Sequence, residues 1–479
     1  MKIFPLLLTG LLTIGAFSRT SHDLDLLRQG VIDVETGLTE EWLATGQSPA
    51  LTYSAEGRFD FPIAVKRQDL DAFLGTLRPD GTFSDIDYAG NTRGAWAVVP
   101  HFDRVRKLAI AIHTYPAAEV QQKNLNEAFH RTLGWWIKTN PTNPNWWYNE
   151  IGMPRTMGVI GALMWNKMTP EEQAGALAVI DRTAVGATGQ NKLWRGINVM
   201  LQGMLKNDEV LAESGIQSAA ETITASAAVE GIQPDWSFRQ HGPQFYQGNY
   251  GHHFLLNTAY LIRVLHGSRF EISAEKQAVI ENLALQGTRW MMWGSLLDYA
   301  AWGRQISYEN RIQGPPLLGT CDALIAVKGG DAADLSAWRE SILADTPLRS
   351  LTGTRFFQRS DYGVMRLPDL MASVKMCSTR TLSTEICNDE NLLGAYLCEG
   401  MTLLYHHGKE YHRIFPVWDW KRLPGTTSRP TAPLPAPELW SEKPGASEMV
   451  GGISGDDGGA MVMQARRFGV ASDKLWVRG

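Results

Sequence analysis

At 479 residues, 44% of them hydrophobic, the chain is long enough for two or three domains, each with its own core. A net charge of -5 excludes a broad basic face for nucleic acid, and no later apolar run approaches the roughly 18 residues of a membrane span. Cys321, Cys377, Cys387 and Cys398 form no C-x-x-C pair, which excludes a disulfide scaffold, argues against structural zinc and leaves a Cys377–Cys387 bridge open.

In chain order, "MKIFPLLLTGLLTIGAFSRT" has a short positive start at Lys2, an apolar stretch and then small residues. It predicts a signal peptide over residues 1–19, hence export to the periplasm or beyond, with no membrane anchor. Helical patterns follow over residues 20–345. "HDLDLLRQGVIDVET" puts Leu24, Leu27, Val31 and Val34 on one face. "TPEEQAGALAVIDRTAV" opens with Thr169 as N-cap, Pro170 at the first helical position and Glu172 closing a capping box. Aromatic, Asn-rich and Gly-rich loops separate the helices, as a helical toroid with a loop-lined cleft would have. From residue 346 to 479 the pattern alternates and is broken by turns, as in strands: "GTRFFQRSDYGVMRLPDLMASVKMCS", a hairpin expected around His407-Gly408, and another in "VGGISGDDGGAMVMQARRFG". The fold class expected is therefore α+β and multidomain: an incomplete (α/α) toroid, then an antiparallel β-sandwich that this chain does not complete.

Tryptophan, ordinarily the rarest aromatic residue, occurs 17 times against 16 Phe and 13 Tyr, and flat rings suit the apolar faces of sugars. "DWSFRQHGPQFYQGNYGHHF" (Asp235 to Phe254) places His241 and Tyr250 before glycines in a polar aromatic loop. The adjacent His252 and His253 lack the carboxylate company of a metal site, so no catalytic metal is expected. "WGRQISYENR" supplies Arg304 and Arg311 around Tyr308, and "NDENLLG" sets Glu390 between asparagines. "NWWYNEIGMP" joins Trp146 and Trp147 to Asn149 and Glu150, and "TGQNKLW" holds Asn191 in a loop before a helix.

Together and in this order these segments resemble the hyaluronate, chondroitin AC and xanthan lyases of polysaccharide lyase family eight. The pattern runs N-W-W-x-N-E-I-G-x-P, T-G-x-N, D-x-S-F-x-Q-H-G-P-Q with Y-G following, G-R-x-x-S, N-x-E-N-L-L-G and P-V-W-x-W-x-x-x-P-G-T-T. The later segments look most like the chondroitin AC branch. The resemblance implies a toroid followed by a β super-sandwich, and cleavage of acidic glycans by β-elimination. It implies that Asn191 binds the uronate carboxylate, that His241 and Tyr250 are catalytic, and that Glu390 supports Arg304 and His241. Trp146 and Trp147, with Asn149 beside them and Trp440 completing the patch, would receive the sugar. Where the family often has a second arginine, this chain has Tyr308, with Arg311 three residues on, so these two bear on which acidic group is preferred. The resemblance implies a monomer with an acidic polysaccharide as its partner. It requires no cofactor and leaves room for a structural calcium in the β domain.

Elimination needs the carboxylate charge masked, the alpha proton taken and the leaving oxygen protonated. Asn191 and His241 suit the first task. Tyr250 suits the other two with Arg304 nearby, and His241 is the rival base. Three other readings stay open: a xanthan-type lyase of the same family, an (α/α) glycoside hydrolase using two of Glu150, Asp235 and Glu390, or a glycan-binding protein without turnover.

Overall fold

A computed structural model describes residues 10–37, 65, 67–115, 119–307, 314–327, 331–429 and 431–478, with the backbone alone for 10–21, 119–122 and 307. The chain divides into two compact units. One holds residues up to 187, 191–221 and 260–272; the other holds 188–190, 222–259 and 273 onward.

The first unit is helical. Its helices are α1 (Gly10–Thr36), α2 (Arg67–Leu74), α3 (Val99–Thr114), α4 (Glu119–Thr139), α5 (Met153–Met164), α6 (Pro170–Ile180), α7 (Gly189–Lys206), which begins in the second unit, and α8 (Glu209–Glu221). The expected stripe of α1 is buried, with Leu27 and Val31 fully inside and Leu24 and Val34 nearly so. Thr169 caps α6 by accepting from the Glu172 N–H, and the Glu172 carboxylate accepts from the Thr169 N–H. The core runs from Leu70 to Val179 and is dense in rings; Phe102 and Trp136 stack 4.1 Å apart. Helices α7 and α8 meet backbone to backbone, because Gly196 and Gly215 leave no room for a Cβ against each other's turns.

The second unit carries α9 (Tyr250–Leu265, its end lying in the first unit), α10 (Ala274–Asn282), α11 (Gly314–Ala326), α12 (Ala332–Leu343) and the sheets. Short pairs β1 (Gly231–Ile232) with β2 (Phe238–Arg239), and β3 (Met292–Trp293) with β4 (Leu296–Leu297), pin the loops. Strands β5 (Gly353–Phe357), β6 (Tyr362–Leu367), β7 (Leu370–Lys375) and β8 (Met401–Tyr405) form an antiparallel meander. Strands β9 (Val450–Ile453), β10 (Gly459–Ala465) and β11 (Ser472–Arg478) form a second antiparallel sheet. Val374 and Met376 pack with Val450, Met461, Met463 and Ala465 between the two sheets, which makes a sandwich.

The hairpin expected around His407-Gly408 does not form. Among the described residues, strand β8 pairs with β7 and has no strand on its other edge. That edge is satisfied otherwise: Leu404 N–H donates to the Tyr411 hydroxyl (2.8 Å) and Thr402 N–H to the Pro424 carbonyl (2.8 Å). The last α-helix, α12, ends at Leu343 and the meander begins at Gly353, but the compact units do not follow that change. Residues 222–259 and 273–345 group with the sandwich rather than with the helices. All four cysteines are free thiols, so the Cys377–Cys387 bridge is not made. Among the described residues no helix is long and apolar enough to cross a membrane, and no group of three His, Cys, Asp or Glu could hold a metal ion.

Candidate active site

Three segments of the second unit converge: the loop 235–250, the turn 298–304 and the loop 378–391. The first is held to the meander by Ser237, hydrogen-bonded to Ser360 (2.7 Å), and by Phe245 packed on Tyr362. The second is anchored by Asp298, fully buried, which accepts from the hydroxyls of Tyr362 (2.5 Å) and Tyr405 (2.6 Å). The third carries a tight turn in which Asn388 and Asp389 both have positive φ and Glu390 N–H donates to the Cys387 carbonyl. Asn and Asp tolerate that left-handed backbone better than other side chains. Asn391 closes the turn by donating to the Glu385 carbonyl oxygen (3.0 Å).

Arg304 is the hub. Its Nε donates to Glu390 (2.7 Å), and its Nη1 donates to Glu385 and, at 3.3 Å, to the Tyr246 hydroxyl. Glu385 spans more groups than any sequence motif implied: it also accepts from His241 Nδ1 (2.7 Å) and from the Tyr246 hydroxyl (2.5 Å). A carboxylate can only accept, so Nδ1 carries the proton and Nε2 is left as the lone pair of a neutral ring or the second N–H of a charged one. Tyr250 is hydrogen-bonded to Arg304, whose guanidinium lies 5.6 Å from its ring centre. His241 packs edge-on against Tyr250 at 4.8 Å, and Tyr246 does so at 5.2 Å.

The charges follow from this packing. Burial would raise the Glu385 carboxyl, but the hydrogen bond from His241 and the charge of Arg304 outweigh it and hold it down at about 2. Burial alone would make Arg304 a weaker base, yet the oxygens of Tyr246, Tyr250, Glu385 and Glu390 keep it protonated far above its ordinary range. Tyr250 behaves differently. Burial pushes its phenol up to about 12, and Arg304 only partly offsets that. Arg304 lowers the cost of ionising Tyr250, as the sequence suggests, but burial outweighs it and the phenol rests protonated.

The sequence assigned the bridging of Arg304 and His241 to Glu390; the carboxylate that touches both is Glu385, while Glu390 holds Arg304. Two groups were thus missed, Glu385 and Tyr246. Glu385 lies five residues before Glu390, in "STEICNDEN", where no pattern marks it. Glu230 was missed too. Its carboxylate accepts from Gly242 N–H (2.8 Å), Gln240 Nε2 (2.6 Å) and Thr188 Oγ1 (2.6 Å), bracing both neighbours of His241, whose own φ is +55°.

In the first unit, Asn191 is not in a loop but in the first turn of α7, nearly buried, with its Oδ1 lacking a hydrogen-bond partner. Trp146 is 43% exposed, whereas Trp147 packs on Tyr148 and Trp194. Asn149 spends its amide on its own loop, accepting from Asn143 N–H and donating to Asn143 O, so it shapes the loop rather than offering itself to a sugar. In the second unit Trp440 is fully buried, its indole N–H donating to the Pro435 carbonyl (3.0 Å). It is core material and offers no sugar platform. Tyr308 and Arg311 lie outside the described residues.

A helical domain followed by an antiparallel sandwich, with an Arg–Tyr–His–carboxylate cluster, defines a class. Its family models match this chain directly: the polysaccharide lyase family 8 N-terminal alpha-helical domain over residues 71–342 and the family 8 super-sandwich domain over residues 352–478. The chain belongs to polysaccharide lyase family 8. Among curated relatives, it is 27% identical to a chondroitinase-AC of Pedobacter heparinus over 84% of this chain and 58% of that protein. It is 26% identical to a hyaluronate lyase of Thermasporomyces composti over 85% and 57%, and 24% identical to a xanthan lyase of a Bacillus species over 68% and 40%. The chain thus spans between two fifths and three fifths of the length of these relatives. Among solved structures, a chondroitinase AC lyase studied with oligosaccharides shares the fold, with a TM-score of 0.81 at 23% identity over 95% of this chain and 65% of that one. The chondroitin AC lyase of Streptomyces coelicolor gives 0.77 at 20% identity, over 95% and 68%.

Proposed function

We propose that this protein is an exported lyase that cleaves a uronate-containing acidic glycan, of chondroitin or hyaluronan type, by β-elimination. The observation that carries the reading is the Arg304 hub: one guanidinium tied to Glu385, Glu390, Tyr246 and Tyr250, with Glu385 also fixing His241. Hydrolysis would need two carboxylates facing a sugar, one of them protonated. Here both Glu385 and Glu390 are ion-paired to the same arginine, and Glu385 is held ionised, which favours elimination. The apolar N-terminal stretch supports export to the periplasm or beyond, and the protein acts as a monomer on its polysaccharide.

In this reading the Nε2 side of His241 faces the uronate carboxylate and stabilises the charge that develops as the alpha proton leaves. Tyr250 is the proton-transfer group. A phenol held near 12 costs about 7 kcal/mol to ionise at neutral pH, so it rests protonated. With substrate bound and Arg304 as counter-charge it passes its proton to solvent; the phenolate takes the alpha proton, delivers it to the glycosidic oxygen as that bond breaks, and then regains a proton from solvent. The products are a new reducing-side hydroxyl and a 4,5-unsaturated uronate. Digestion of chondroitin or hyaluronan should generate ultraviolet absorbance from that double bond, and Tyr250→Phe should abolish it. Release of reducing ends without absorbance would overturn the reading in favour of hydrolysis, and binding without turnover would leave a glycan-binding protein.

A further inference from the structure

Beside the exposed face of Trp146 stands a cation that no motif singles out. The Arg195 guanidinium lies 5.4 Å from the Trp146 ring centre, and its Nη2 is ion-paired to Glu150 from the turn that follows the tryptophans. Its Nε is buried without a hydrogen-bond partner, and Nη1 makes none among the described residues. One turn earlier on α7, on the same helix face, Asn191 has a buried, unpaired Oδ1. Unpaired polar donors are costly to bury, so the Arg195 guanidinium, with donors to spare 5.4 Å from the ring centre of a partly exposed indole, points to a ligand there. Trp147 and Trp194 pack edge to face beside the loop and fix its position.

Resting on the lyase reading above, we infer that Arg195 is a specificity-determining residue: it binds an anionic oxygen substituent of the sugar seated on Trp146. A guanidinium already oriented by Glu150 offers its remaining planar donors at little entropic cost, and such donors match sulfate and carboxylate oxygens. A neutral sugar would leave them unsatisfied, so the pocket discriminates by charge as well as by ring stacking.

The test compares Arg195→Gln and Arg195→Lys with the native protein on chondroitin sulfate and on hyaluronan, which carries carboxylates but no sulfate. Arg195→Gln is expected to raise KM about tenfold or more, with kcat within about twofold, and Arg195→Lys to recover part of the loss. A rise confined to chondroitin sulfate identifies the group as sulfate; an equal rise on both identifies the carboxylate. Unchanged KM on both glycans, or a loss confined to kcat, overturns the proposal. If the native protein forms no unsaturated product from either glycan, the lyase reading fails instead. Calorimetric binding of the same two glycans to native and Arg195→Gln protein then decides the role of Arg195, and equal or absent binding overturns it.

Discussion

Glu385 shows how one side chain can organise several others. It accepts from His241, Tyr246 and Arg304 at once, so removing its charge leaves a buried cation and two donors without their acceptor. Glu385→Gln is expected to lower kcat/KM at least about a hundredfold, measured as the rate of unsaturated-product formation, because His241 loses its fixed tautomer. The same carboxyl sets an acid limit. Its folded value of about 2 lies below the ordinary 4.5, so its contribution to stability is complete above about 4.5 and lost as pH falls towards 2. The shift is worth about 3 kcal/mol at most. Thermal unfolding of the native protein should weaken across that window, and the Gln variant should lack this component. Tyr250 makes the opposite prediction at high pH. If the phenolate is the base, log kcat/KM should climb with pH through about 9 or 10, following a phenol raised to about 12; a plateau near neutrality would assign the base to an imidazole.

At the scale of elements, the site depends on short loops pinned to a rigid sheet. Gly303 has φ +63°, and a Cβ there would lie 2.2 Å from the Tyr246 ring. Gly303→Ala should therefore destabilise the protein by about 1–3 kcal/mol and displace Arg304, seen as a lower Tm and a lower kcat together. Glu230→Ala frees both neighbours of His241 while touching no proposed reacting atom; activity should fall about tenfold with little change in Tm, since the group is only partly buried. Elements governed by local chemistry were legible in the sequence. The α1 stripe and the Thr169–Glu172 capping box follow from periodicity and from side chains a few residues apart. The hairpin at His407-Gly408 was misread because alternation marks a strand but not its partner. The Tyr411 hydroxyl and the Pro424 carbonyl take the place of the partner strand, and neither leaves a local signal. Asn191 was read as a loop residue, and the observed helix already starts at Gly189.

At the scale of the whole chain, the compact units cut across the division into helices and strands. His241, Tyr250 and Arg304 lie in the mostly helical part of the sequence, yet they pack with Glu385, Glu390 and the sandwich. A chain ending at residue 345 would keep His241, Tyr250, Arg304 and Asn191 but lose both carboxylates, as well as Tyr362 and Tyr405, which satisfy Asp298. It should form no unsaturated product and should unfold with reduced cooperativity. The sequence by itself determined the order of helical and β parts, because periodicity carries that information along the chain, and its resemblance to the family singled out His241, Tyr250, Arg304 and Asn191. Only the tertiary structure decided that Glu385 rather than Glu390 spans the hub, that Trp440 is core, and that burial keeps Tyr250 protonated. Those outcomes turn on desolvation and on contacts between residues far apart in the chain, such as His241 with Glu385, which no local pattern encodes.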